Sequence, residues 1–164
     1  MKQDPLKTSD DEAKTFSLKV GNLIHNYGAI EYLINDLLAL LIKDPLISSH
    51  MVKLPVSKRI EILGSLVKRD ALELERNRIV IADLFSAAKT AFRNRNKIAH
   101  NPFVVQTKPN GSRTSGIHVI RYLEDGITEE WLDLPKLEEF RLASHSLLDA
   151  VFDLFSHYVA KKAR

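Results

Sequence analysis

A mainly helical bundle with a small antiparallel insert is the fold class this chain predicts, on three observations. Apolar residues recur at three- and four-residue steps over most of its length. Helix punctuation falls where that period stops, at Asp44-Pro45, Asn101-Pro102 and Asp133-Leu134-Pro135. Between the last two of these the period becomes two, in Phe103-Val104-Val105-Gln106-Thr107 and Ile117–Tyr122, around a Pro109-Asn110-Gly111 turn. With 164 residues and 45% apolar content, the chain has material for one core. The expectation is therefore a single domain over residues 1–164, with four or more helices and residues 103–132 as an inserted hairpin or short sheet.

The first helix is expected from Ser9, where Ser9-Asp10-Asp11-Glu12 forms a capping box, leaving residues 1–8 flexible. Its stripe runs from Phe16 through Leu23, Tyr27, Ile30, Ile34 and Leu38 to Leu41, and is wide enough for part of it to face a second subunit. Asp44 to Val56, with two prolines, reads as a loop containing about one turn. Ser57 is the expected cap of a helix that buries Ile60, Leu63, Leu66 and Val67. Asp70-Ala71-Leu72-Glu73 offers a further capping box, opening a helix with a break near Asn77. Its apolar spacing continues through Leu84, Phe85, Ala88, Phe92 and Ala99. A third short strand is expected near Gly126 to Leu132; His118, Arg121 and Tyr122 of the second strand read as polar positions of a half-exposed strand, with nucleic-acid contact as the less favoured alternative. Asp133 then caps a closing helix whose broad apolar face includes Leu137, Phe140, Leu147, Val151, Phe152 and Tyr158, with His145 and His157 on its surface.

Composition narrows the chemistry. The formal charge of +3 and the isoelectric point near 9.1 suit an anionic partner without requiring one. The sequence has no cysteine, which removes disulfides and thiolate metal sites and fits a cytoplasmic protein. The stretch Met1–Lys14 lacks the apolar core of a signal peptide, and the most apolar run, Tyr32 to Ile42, is interrupted by Asn35 and Asp36 and too short to span a bilayer. No membrane association is expected. Two-metal acid clusters, His-Glu-x-x-His, Gly-rich phosphate loops and nucleophile elbows are all missing, so neither a metal nor a cofactor is expected.

What remains is Arg93-Asn94-Arg95-Asn96-Lys97-Ile98-Ala99-His100-Asn101-Pro102. Proline forces the preceding residue out of the α region, so a helix should end near His100 or Asn101. Arg93 and His100 lie seven apart and Asn96 four before His100, which places all three near one helical face. Arg95 points elsewhere on an ideal helix. It can approach His100 if the last turn unwinds, or it can reach a partner subunit. Glu31, a carboxylate among apolar neighbours on the first helix, needs a cation, and the motif arginines are its expected partners.

Arg95-Asn96-Lys97-Ile98-Ala99-His100 resembles the Arg, polar residue, three residues, His signature of the HEPN superfamily, small all-helical proteins many of which are metal-independent ribonucleases of toxin-antitoxin and defence systems. Arg93-Asn94 with His100 fits the longer spacing the same family accepts, so the working arginine can be Arg93 or Arg95. Where the family often carries a tyrosine, two residues after the histidine, this chain has Pro102. The resemblance implies a homodimer, RNA as substrate and an antitoxin protein as partner, with Arg95 and His100 catalytic. Arg93, Asn96, Lys97, Asn101 and Glu31 are the supporting or RNA-binding candidates. Histidine titrates near neutrality and can take a proton from a ribose 2′-OH or give one to the leaving 5′-oxygen, while arginine presents a rigid fork to phosphate. Two other readings use the same residues: a module that binds a nucleotide or RNA without cutting it, and an interaction protein in which Arg95, His100 and Glu31 are structural.

Overall fold

The chain is described here from a computed structural model, which describes residues 5–70, 78–107, 109, 111, 113–123 and 126–163. Among them the element order is α1 (Pro5–Ile42), α2 (Pro45–Met51), α3 (Val56–Asp70), α4 (Arg78–Ala99), β1 (Phe103–Thr107), β2 (Arg113–Leu123), β3 (Gly126–Leu132) and α5 (Leu134–Lys162). The expected class holds: 75% of the described residues are helical, and those residues include one three-stranded antiparallel sheet, in the order β1-β2-β3. No helix among the described residues is long and apolar enough to cross a membrane.

Several boundaries differ from expectation for local reasons. Helix α1 starts at Pro5, a residue suited to a first turn because its missing N–H would go unpaired there, so Ser9 stands inside the helix. Asp44 makes α2 possible in the expected loop: its Oδ1 accepts from the amides of Leu46 at 2.9 Å and Ile47 at 3.2 Å, with Pro45 opening the helix. Helix α3 begins at Val56, where the Pro55 carbonyl accepts from Lys58 and Arg59, so Ser57 is a first-turn residue and not the cap. Asp70 is the last residue of α3, and the rest of the expected Asp70–Glu73 capping box, with the break near Asn77, falls on residues outside those described. In the last turn of α4 the buried position is Ile98, while Ala99, expected on the apolar face, is exposed. Phe152 of α5, expected in the core, is 56% exposed.

Contacts gather into two compact units, one formed by residues up to Ile24 with Asn94–Leu142 and the other by His25–Arg93 with Ala143–Arg164. In the first, β2 pairs with β1 from Phe103↔Ile117 to Thr107↔Arg113 and with β3 from Ile117↔Leu132 to Leu123↔Gly126. One sheet face buries Ile117, Val119 and Leu132 together with Phe16, Leu23, Ile98 and Leu137 of the helices. Phe16 packs its ring on Phe103 at 4.5 Å between centroids. On the opposite face Gly116 is required by close approach: a Cβ there would sit 2.6 Å from Trp131 Nε1 and 2.7 Å from the Leu132 carbonyl oxygen. Glu138 receives Lys19 and a forked pair of bonds from Arg141, and hydrogen bonding from Arg141 first, then Lys19, pulls its carboxyl down to about 2.

The second unit has the larger aliphatic core, with Ile30, Ile34, Leu37 and Leu38 of α1 buried along with Ile60, Leu63 and Val67 of α3. Tyr27 and Phe92 add an aromatic contact at 6.0 Å, and burial pushes the Tyr27 phenol up to about 12. Buried Ser144 accepts from Asn26 Nδ2 at 3.0 Å.

Candidate functional site

Helix α4 carries the motif to its end. The His100 amide donates to the Asn96 carbonyl at 3.2 Å, so the α-helical turn stays wound through the histidine. Asn101 closes the helix by donating Nδ2 to the Lys97 carbonyl at 2.7 Å, which satisfies one of the free terminal acceptors. Pro102 then leads directly into β1. Ile98 faces the core at 4% exposure, which fixes the rotation of the last turn and leaves Asn96 and His100 on the exposed side.

The candidate residues divide by what they already hold. His100 is exposed, and its ring has no hydrogen-bond or ion-pair partner among the described residues. Arg95 is half-buried and donates only a long 3.3 Å bond to Asn96 Oδ1, while Asn96 lies one turn before His100. Because the turn does not unwind, Arg95 and His100 of one chain project about 140° apart around the axis. Lys97 has an acid partner: its ammonium sits 2.6 and 3.0 Å from the two Glu130 oxygens of β3, a pair the sequence did not signal. Arg93 reaches no further than Thr90 Oγ1 at 3.3 Å.

Glu31 finds a different arginine from the expected ones. Its Oε1 is paired with Arg59 Nη2, and the same guanidinium donates Nη1 to Asn35 Oδ1 at 2.5 Å and Nε to the Leu54 carbonyl at 3.0 Å. Arg59 is 5% exposed, a buried cation with its donors directed at three acceptors. The sequence held the signal, since Arg59, Leu63 and Val67 follow one another at four-residue steps on the buried stripe of α3.

The motif end of α4 can present an imidazole and a guanidinium to an anion without first breaking a strong ion pair. Lys97 and Asn101 are occupied by Glu130 and by the helix terminus. No protein-family model, curated protein or solved structure matches the chain.

Proposed function

We propose that the chain is a metal-independent endoribonuclease of the toxin-antitoxin or defence type, with His100 as the proton-transfer group and Arg95 as the phosphate ligand. The observation that carries this reading is the exposed, unpartnered His100 ring at the wound end of α4, one turn beyond the Arg95–Asn96 pair. In the reaction a base removes the 2′-OH proton, the 2′-oxygen attacks phosphorus, and the P–O5′ bond breaks as an acid protonates the leaving oxygen. The products are a 2′,3′-cyclic phosphate and a 5′-hydroxyl, with no net proton consumed. Arg95 offsets the negative charge of the in-flight phosphoryl oxygens.

One wound helix separates Arg95 from His100, and one histidine does not provide both base and acid in the same transition state. A homodimer that brings two motif helices together answers both points, each chain contributing a histidine and an arginine to a shared cleft. Leu18 and Tyr32 of α1, 62% and 65% exposed, are apolar surface that a second copy can cover. The HEPN resemblance points to the same dimer, to RNA as substrate, to a cytoplasmic setting and to a neighbouring antitoxin. The non-catalytic binding reading uses the same Arg95, Asn96 and His100 end to hold a nucleotide or RNA without cutting it, with Lys97 and Asn101 already engaged by Glu130 and the helix terminus.

A tandem-linked dimer with His100→Ala in one half separates these geometries. A shared cleft gives RNA cleavage far below half of the wild-type tandem. Retention of about half means each protomer works alone, and binding without cleavage in the wild type supports the binding module.

A further inference from the structure

Resting on the ribonuclease reading, we propose that the outer face of the sheet holds an unpaired purine base of the RNA substrate, with Trp131 as its stacking platform. The groove on that face encloses about 490 Å³ and lies wholly in the unit that also carries His100. Val104 and Gln106 of β1, Thr114 and His118 of β2, and Glu129 and Trp131 of β3 line it. It adjoins the motif: the His118 amide donates to the Pro102 carbonyl at 3.3 Å, and Val104 follows His100 by four residues, at most about 14 Å of chain. A single strand held at His100 reaches the groove with a neighbouring nucleotide.

Gly116 leaves β2 without a side chain where Trp131 crosses it, and a Cβ there would stand 2.6 Å from Trp131 Nε1, so the indole lies close on the backbone. In that position Nε1 is buried without a hydrogen-bond partner, a donor the fold leaves unmatched. Trp131 is nonetheless only half-buried, so the fold does not use up its aromatic surface. The His118 ring stands beside it at 5.6 Å between centroids, with Nε2 held 3.1 Å from Glu129 Oε2. Aromatic side chains on an open sheet face are a platform for splayed single-stranded bases. Charge separates the base from the phosphate. Among the described residues no lysine or arginine lines the groove, and Glu130, which also borders it, is tied to Lys97. A phosphate finds no counter-charge there, whereas a neutral base stacks without one. Glu129 is exposed with one carboxylate oxygen uncommitted, an acceptor for the exocyclic amino group of adenine or guanine, which uracil lacks. The two-ring purines also offer the indole more surface than cytosine does.

Trp131 is the sole tryptophan of the chain, so its emission reports on the site directly. The full chain is titrated with 2′-O-methyl RNA tetramers, which lack the attacking hydroxyl and stay uncut: one of adenosines, one of uridines and one without bases. The adenosine tetramer should change the emission and bind at least about fivefold more tightly than the uridine tetramer and at least about tenfold more tightly than the base-free one. By anisotropy of a labelled adenosine tetramer, Trp131→Leu should weaken binding at least about fivefold, Trp131→Phe less than about twofold, and His145→Ala, outside the groove, not at all. Where unfolding curves show that Trp131→Leu does not fold, His118→Ala takes its place, with an expected loss of at least about threefold. The site is overturned if the adenosine tetramer leaves the emission unchanged, if the uridine or base-free tetramer binds as tightly, or if the folded variant binds like wild type. Tetramer binding of the expected kind by a protein that cuts no RNA keeps the base site and removes the catalytic reading, and RNA cleavage with an unresponsive Trp131 does the reverse.

Discussion

Two arginines in this chain have opposite surroundings. Arg59 is buried, with Glu31, Asn35 and the Leu54 carbonyl gathered around its guanidinium. Arg95 is half-buried and makes one long bond to the side chain next to it. A buried guanidinium must be matched or the fold loses several kcal/mol, so complete matching marks Arg59 as structural. An arginine with most of its donors uncommitted is what the proposed ribonuclease reading requires of a phosphate ligand. The difference separates a guanidinium that the fold engages from one it leaves largely uncommitted, where composition treats them alike.

The largest expected effect on folding tests the structural side of that contrast. Arg59→Ala removes the counter-charge of Glu31 and leaves Asn35 and the Leu54 carbonyl without a donor. A loss of about 2–4 kcal/mol is expected in urea unfolding, below the top of the range because Glu31 keeps partial access to water. A loss below about 1 kcal/mol would place Arg59 with the exposed cations. Gly116→Ala comes next: its Cβ would meet Trp131 Nε1 at 2.6 Å and a backbone oxygen at 2.7 Å, and because the oxygen cannot swing aside, about 1–3 kcal/mol should be lost. Gly64→Ala meets only the Phe85 ring, at 3.3 Å, and should cost less in the same assay.

Titration sharpens the comparison further. The Tyr27 phenol, pushed up to about 12, favours the folded state below the ordinary value of 10.0, and that contribution should disappear as pH rises from about 10 to about 12. Tyr27→Phe should flatten this alkaline slope in pH-dependent unfolding. Glu138, held at about 2 by Arg141 and Lys19, contributes above its ordinary 4.5, and the contribution should fall away as pH drops from about 4.5 to about 2. Glu138→Gln should remove that acidic slope. The smallest effect on folding belongs to the motif: His100→Ala and Arg95→Ala should each stay within about 0.5 kcal/mol of wild type.

Much of this arrangement was legible in the chain. Period-3.6 stripes located the helices, and Pro102 with the following alternation located the end of α4 and the sheet. Legibility failed where a residue's role depends on a partner far away in sequence. Glu31 called for a cation, but nothing local chose Arg59 over the motif arginines, although its four-residue spacing to Leu63 and Val67 marked it as inward-facing. Glu130 alternates within β3 like any strand residue, and only the folded sheet brings it to Lys97. Helix α2 is longer than the single turn its two prolines suggest, because Asp44 and Pro45 together form a helix start.

The most direct measurement pairs folding and activity in one variant. Purified wild-type protein and His100→Ala are compared by chemical unfolding and by cleavage of a defined RNA in excess EDTA, with the product ends identified. The expected result is an unfolding free energy equal within about 0.5 kcal/mol, wild-type products ending in 2′,3′-cyclic phosphate, and a loss of cleavage of at least about 100-fold in the variant. Equal cleavage by the two proteins, or wild-type cleavage that stops when EDTA is added, would contradict the assignment of His100 as the proton-transfer group of a metal-independent ribonuclease.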